Sequence, residues 1–389
     1  MDDRPPRIGL VLTGGGARGA YQAGVLQGIA EILDAAGIDG QFDVYSGVSA
    51  GAVNASFLAS QPVLLDAAAG LYAMWRDLHV DQVFRTDTGA LARLSARWMI
   101  DLGLGGLIGA SNATHLLDAS PLRTLLSKYI DLDKMRARVA SGALHGISLS
   151  ATSYATGASI HFFEGAEDIK PWERNQRLGV RTKLEIDHIL ASSAIPLVFP
   201  PVRIGESYYG DGGIRQVTPL SPAIHLGAER ILAIGIRHAS TGANNRTLHE
   251  TAKMPHVTLA DIAGTVLNGI LLDALELDAE RMTRDNDMLA LFATFASELG
   301  IQGYPLGLRH VPLVVIQPSQ DLGRLAADEF DRFPGALRYL LRGLGTSKEK
   351  GWDLLSYLAF EPAYTGRLLE LGRADALAIA PAIRGLFRA

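Results

Sequence analysis

Three short stretches carry residues whose types and spacing could do chemistry. The first, LTGGGARGA, sets Gly14, Gly16 and Gly19 between a strand-like apolar run, Ile8 to Thr13, and a helix-forming stretch, Ala17 to Ala36. Backbone N–H groups in such a turn have no carbonyl to receive them, so they suit an anion, either a phosphate or an oxyanion. The second, GVSAG, places Ser49 between Gly47 and Gly51 at the end of another strand-like run, Phe42 to Ser46. Small flanking residues allow a sharp strand-to-helix turn that lifts the hydroxyl above a sheet edge as a nucleophile. The third, YYGDGG, puts Asp211 in a turn backed by Gly212 and Gly213, where its carboxylate can approach another loop without a bulky neighbour.

The choice between phosphate and oxyanion turns on what the second strand ends in. Gly14, Gly16 and Gly19 satisfy the dinucleotide-binding spacing, but that site wants an acid at the end of the second strand to hold a ribose. Here that end reads Tyr45-Ser46-Gly47-Val48-Ser49, and Asp43 lies at the opposite end of the strand. A Walker loop is also excluded, because no Gly-Lys-Ser/Thr follows the glycines. Two adjacent parallel strands would instead bring Ser49 and the glycine turn to one sheet edge. The N–H groups of Gly15 and Gly16, with Ala17, can then hold the negative oxygen formed when Ser49 attacks an ester carbonyl, each donor worth about 3 kcal/mol. Arg18 either adds positive field, takes a head-group phosphate, or forms an ion pair that fixes the loop; its position leaves these open.

A serine needs a base. His145, His161 and His225 sit in or near apolar elements, and His238, just after a strand, is the best-placed histidine. Asp211 is the acidic candidate, with an ordinary turn aspartate as the competing reading. Three further readings stand beside acyl transfer with Asp211 as the base: a Ser-His-Asp carboxylesterase with His238 as the base, a nucleotide-binding regulatory protein using the glycine turn, and a lipid-binding protein with a degenerate site.

The elements that must position these residues read as α/β. Apolar or β-branched runs at Leu144–Ser153, Ser159–Phe163, Arg230–Arg237 and Val311–Gln317 extend a mostly parallel sheet begun by the first two strands. Thr258 to Arg281 reads as one long helix whose stripe Ile262, Val266, Ile270 and Leu277 is expected to face the core, with a partner helix as the alternative. Leu91 to Ala110, glycine-rich and sparsely charged, is expected to pack on the core, with a lid or lipid-facing flap as the alternative; Asn244 to Pro255 is the best linker. The 389-residue chain is 48% apolar with a formal net charge of −5, so it has ample core and no bulk basic surface for nucleic acid. It has no cysteine, which excludes disulfides, thiolate metal sites and thiol catalysis. The start, MDDRPPR, lacks a basic region followed by a long apolar run, so a cytoplasmic location is expected.

The ordered set GGGARG, GVSAG and DGG, with ASSAIPLVFPP (Ala191 to Pro201) and PLSPAIHLGAERILAI between and after them, resembles the patatin-like phospholipase family, in a bacterial, intracellular form. The resemblance covers residues 7–240, and more loosely the helical region to about 375. It implies a three-layer α/β fold with a catalytic core at 7–240 and a helical C-terminal region at 241–389 carrying one further strand near 311–317. It implies a Ser–Asp dyad, with Ser49 the nucleophile and Asp211 the base, the oxyanion hole at Gly14, Gly15, Gly16, Ala17, Arg18 and Gly19, and Gly47, Gly51, Gly212 and Gly213 in support. No cofactor or metal is implied. The substrate would be a phospholipid or another acyl-ester lipid, met by transient contact with a membrane surface through the flap or the last helix. The ASSAIPLVFPP segment is expected to position the Asp211 loop rather than touch substrate. A free aspartate, with pKa about 3.9, is a poor base for a serine hydroxyl, so burial must supply the difference.

Overall fold

The run IGLVL is apolar at every position, and such a strand is stable only where a parallel sheet has cover on both faces. In the computed structural model it forms β1 (Ile8–Leu12), fully buried in the middle of the sheet. The structure describes residues 4–87, 114–238, 256–272, 274–298, 308–347 and 350–388, with single positions 89, 92 and 96. Nearly all of Leu91 to Ala110, and all of the candidate linker at 244–255, lie outside the described residues.

The other strands are β2 (Val44–Val48), β3 (Gly146–Ser153), β4 (Ser159–Gly165), β5 (Trp172–Arg174), β6 (Arg177–Arg181), β7 (Val202–Ile204), β8 (Ser207–Asp211), β9 (Arg230–Ile234) and β10 (Leu313–Ile316). The sheet runs β10-β9-β1-β2-β3-β4-β6-β5, with β8 pairing β3 and β7 pairing β8. From β10 to β3 all neighbours are parallel, and antiparallel pairs begin at β3–β4 and β3–β8. Leu12 stands opposite both Gly47 and Ile234, so the carboxyl ends of β1, β2 and β9 finish level. Ligands of open parallel sheets bind at that edge.

Seven helices are numbered here: α1 (Gly19–Ala35), α2 (Ala50–Ala59), α3 (Ile186–Ser192), α4 (Leu259–Leu271), α5 (Trp352–Leu358), α6 (Pro362–Ala378) and α7 (Ala380–Arg388). Every residue of α2 is buried, which its composition of alanine, glycine, serine and a few larger apolar side chains permits. Its Asn54 bonds Gln22 at 2.9 Å and the Gly19 carbonyl at 3.1 Å, and accepts from Trp75 Nε1 at 2.7 Å. Gln22 in turn donates to the Thr13 carbonyl at 2.8 Å, so a satisfied polar network ties the glycine turn to α1 and α2. α1 lies against α6, with Tyr21 Oη donating to Asp375 at 2.9 Å. That contact attaches the C-terminal region to the sheet's cover.

Three expectations are corrected. The segment read as one helix from Thr258 to Arg281 is two, α4 and Ala274–Glu298. Leu267, Leu271 and Leu272 pack into the main core while Leu275 joins Val11 and Ile231 on another part of it, and one straight helix cannot serve both. Most of the stripe expected in the core faces outward: Ile262, Val266 and Leu277 are 51%, 52% and 67% exposed, while Ile270 is partly buried against the core. The buried side of α4 is Ala260, Gly264, Leu267 and Leu271, because small residues there let α5 approach; a Cβ on Gly264 would stand 2.7 Å from Asp353 Cβ. Finally, the last helix turns its apolar side inward, burying Ile383 and Leu386 and setting Phe387 edge-on to Phe42 at 5.4 Å, so that side is not free for lipid.

Arg138, buried in the helix Leu132–Ala140, closes the far end of α2 by donating to the carbonyls of Ala59 at 2.9 Å and Leu58 at 3.2 Å. A guanidinium at a helix C-terminus satisfies carbonyls that have no partner within the helix and favours the dipole. Arg138→Met should therefore lower stability by about 2 kcal/mol in urea unfolding, and an unchanged midpoint would contradict this account.

Candidate active site

The β2–α2 junction is held in a conformation most side chains avoid. Ser49 has φ 55° and ψ −127°, and among the described residues only Gln176 and Leu197 are other non-glycine positions with positive φ. Such a residue costs on the order of 1–3 kcal/mol and persists only when its surroundings over-determine it. The flanking glycines supply part of that. A Cβ at Gly51 would collide with the Leu12 carbonyl, and one at Gly47 with the Gly51 carbonyl. Two hydroxyls supply the rest: the Ser49 N–H donates to Ser192 Oγ at 3.0 Å, and Ser193 Oγ donates to the Ser49 carbonyl at 3.2 Å. Ser192 Oγ in turn donates to the Ser150 carbonyl at 2.6 Å, which anchors the clamp to β3.

Asp211 ends β8 and lies fully buried. Its N–H donates to the Ala194 carbonyl at 2.9 Å, its carbonyl accepts from Thr152 Oγ1 at 2.9 Å, and Oδ1 accepts from Gly213 N–H at 2.8 Å. Oδ2 makes no hydrogen bond of ordinary geometry. The Ser49 side chain is nonetheless near enough to favour the ionised form, as does the Gly213 N–H. Burial outweighs both and pushes the carboxyl up to about 7.

The glycine turn completes the edge. Gly14 abuts the serine, and a Cβ there would stand 2.7 Å from Ser49 Cβ. After Gly15 the chain enters a short 3-10 turn, Gly16–Arg18, whose closing bond runs from Arg18 N–H to the Gly15 carbonyl at 3.2 Å. The N–H groups of Gly16 and Ala17 begin that turn, ahead of any carbonyl it could offer them. Gly16 and Ser49 both line a pocket of about 480 Å³, its open mouth included. Its walls are otherwise apolar apart from Ser193, with Val53, Trp75, Leu125, Ile195, Phe199 and Phe360 among them.

The model of the patatin-like phospholipase family matches residues 10–224, more than half of the chain. The chain belongs to this family. Similar solved structures include VipD from Legionella pneumophila, at 17% identity and TM-score 0.31, covering 68% of this chain and 59% of that one. A human GIVD cytosolic phospholipase A2 in complex with methyl gamma-linolenyl fluorophosphonate is 12% identical with TM-score 0.41, covering 98% and 60%. The type III effector ExoU is 16% identical with TM-score 0.27, covering 91% and 78%. The chain thus spans about three fifths of the length of the first two. No curated protein matches it in sequence.

In this patatin-family chain the sequence-derived residues divide cleanly. Ser49, Asp211, Gly14 and Gly16 meet at one edge, whereas the Arg18 side chain turns away into the protein. It is 3% exposed, donates to Ser356 Oγ at 2.8 Å and Asp353 Oδ1 at 2.9 Å, and lies over the Tyr357 ring at 4.5 Å. Of its readings the structural ion pair is the one present. The described histidines lie elsewhere. His238 Nδ1 is 3.0 Å from the Pro318 carbonyl, and His161 is buried against Ser150 Oγ at 2.8 Å, where desolvation drives its pKa down to about 3. Among the described residues no histidine lines the Ser49 pocket.

The ASSAIPLVFPP segment does position Asp211, through Ala194, but Ser193, Ile195 and Phe199 also line the pocket, contrary to the expectation that it stays clear of substrate. The hydroxyl clamp at Ser192 and Ser193 has no signature in the sequence, because two adjacent serines at a helix end carry no diagnostic spacing. Trp75 and Phe360, stacked at 6.3 Å between centroids, were equally invisible as pocket walls, since only the tertiary fold brings them together.

The raised Asp211 pKa has a measurable thermodynamic sign. With the folded group near 7 and the unfolded one near 3.9, the native state binds the extra proton between those values. Stability is therefore lost as pH rises from about 4 to 7, and the penalty is complete above 7. Asp211→Asn removes that penalty, so its advantage over wild type should grow between pH 4 and pH 8 by on the order of 4 kcal/mol. Urea midpoints measured across that range check this; parallel curves for the two proteins would contradict the buried, raised carboxylate.

Proposed function

We propose that this chain is a lipid acyl hydrolase, phospholipase A-like, that cleaves carboxylic esters through an acyl-Ser49 intermediate with Asp211 as the base. The observation that carries the reading is the apolar pocket opening on the strained serine, with the buried carboxylate beside it and the glycine turn abutting it. The apolar lining suits an acyl chain chemically, at about 0.8 kcal/mol for each CH₂ removed from water.

In the proposed reaction Ser49 Oγ attacks the ester carbonyl carbon and its proton passes to Asp211. The carbonyl oxygen becomes negative and is held by the N–H groups of Gly15, Gly16 and Ala17. When the tetrahedral species collapses, the C–O bond to the alcohol breaks and Asp211 returns the proton to the departing oxygen. Water then attacks the acyl-serine, Asp211 takes its proton and gives it back to Ser49, and the fatty acid leaves. With a glycerophospholipid the departing alcohol is a lysophospholipid. Each proton has a donor and an acceptor within this set of residues. A base works best with a pKa near the working pH, and burial brings Asp211 there. Among the described residues no helix is long and apolar enough to cross a membrane, and we place the enzyme in the cytoplasm, meeting lipid surfaces transiently.

Assays on a fluorogenic phospholipid and a short-chain ester test this. Ser49→Ala and Asp211→Asn should each lower kcat/KM by a factor of about 1,000 or more with the fold intact by circular dichroism, while His238→Ala stays within twofold. The wild-type kcat/KM should fall on the acid side with an apparent pKa near 7, the value for Asp211. Loss of activity in His238→Ala, or full activity in Asp211→Asn, would replace the dyad with a histidine mechanism.

A further inference from the structure

The matched family region ends at residue 224, yet all three parts of the edge are touched by residues that come later. Leu271 of α4 packs on the Asp211 turn, where a Cβ at Gly213 would collide with it. Phe360, just beyond α5, forms a pocket wall against Trp75. Between them α5 sits on the glycine turn itself: the Tyr357 carbonyl fills the space a Cβ on Gly16 would need. Tyr357 Oη also donates to Asn268 of α4 at 2.9 Å, so α4 and α5 are linked over the site.

The hold on the turn is polar and specific. Arg18, the residue between Ala17 and the start of α1, donates through Nε to Ser356 Oγ and through Nη2 to Asp353 Oδ1. Ser356 in turn donates to the Asp353 carbonyl at 2.6 Å, which fixes its lone pair toward Arg18. A buried guanidinium leaves its acceptors only at high cost, so the backbone of the turn is set by where α5 places Asp353 and Ser356.

We propose that α5 is a built-in clamp on the oxyanion turn: Asp353 and Ser356 are positioning residues that hold Arg18, and through its backbone the N–H groups of Gly16 and Ala17, where the transition-state oxygen forms. The inference rests on the hydrolase reading above and assigns the C-terminal region a part in that reaction. Because the oxyanion exists only in the transition state, a loosened clamp lowers kcat and leaves KM nearly unchanged.

The test uses the full chain with Asp353→Ala, Ser356→Ala and, as a control, Arg373→Ala, which breaks an exposed pair to Glu31 that also joins the C-terminal region to α1 but lies away from the turn. Each protein is assayed on a short-chain ester, with active sites counted by the endpoint of fluorophosphonate labelling. Each is also titrated with an alkyl trifluoromethyl ketone, whose carbonyl adds Ser49 Oγ to give a tetrahedral oxyanion. The clamp predicts that Asp353→Ala and Ser356→Ala lose about tenfold or more in kcat per labelled site, with KM within twofold and ketone affinity falling in parallel. Arg373→Ala should match wild type. The proposal is overturned if both clamp variants keep kcat and ketone affinity within twofold, or if Arg373→Ala loses as much as they do. Should Asp353→Ala fail to fold, the milder Ser356→Ala decides alone. A wild-type protein that neither labels nor turns over ester would instead sink the hydrolase reading beneath it, a result separate from either clamp outcome.

Discussion

The structure depends on one backbone conformation, that of Ser49. Nothing in the serine side chain favours φ 55°, so the conformation is imposed by packing. The start of α2 rides so close to the end of β1 that only glycine fits at position 51, and two hydroxyls from the end of α3 and its cap grip the serine's N–H and carbonyl. The burial of all of α2, and the guanidinium that closes its far end, keep the helix from relaxing away. In energetic terms a local strain of a few kcal/mol is offset by a fully buried helix. The result is a hydroxyl presented at the carboxyl edge of the sheet, level with the glycine turn.

Asp211 is the second constraint, and it couples function to stability. A carboxyl deprived of water is costly to ionise, and the same cost raises it into the range where a base is useful at neutral pH. The cost is offset only in part, by Gly213 N–H on Oδ1 and by the nearby Ser49 side chain, and Oδ2 is left without a hydrogen bond of ordinary geometry. Had several donors surrounded it, the carboxylate would be stable and unreactive. A moderate number of partners and complete burial are what distinguish it from an ordinary turn aspartate.

Much of the frame was legible in the sequence because it depends on local signals. The apolar run Ile8 to Leu12, the glycine turn and the small residues after Ser49 each state a strand, a turn or a close-packed helix with few alternatives, and the ordered motifs named the family. Legibility stopped where packing chooses between equivalent faces. The α4 segment is apolar on two sides, so Ile262 and Val266 looked as fit for the core as Leu267 and Leu271. The close approach of α5 at Gly264 decided the matter, and no periodicity records it. Arg18 shows the same limit: its partners lie 335 and 338 residues away in sequence. Helix ends such as Leu272 depend on which part of the core each side must fill.

The most direct test of the central claim is the pH dependence of fluorophosphonate labelling, followed by intact mass and peptide mapping. A single label on Ser49, with a rate that rises through a midpoint near pH 7 and then levels, is what a serine activated by the buried Asp211 carboxylate requires. A label on another residue, no label, or a rate on Ser49 that does not change with pH would contradict it.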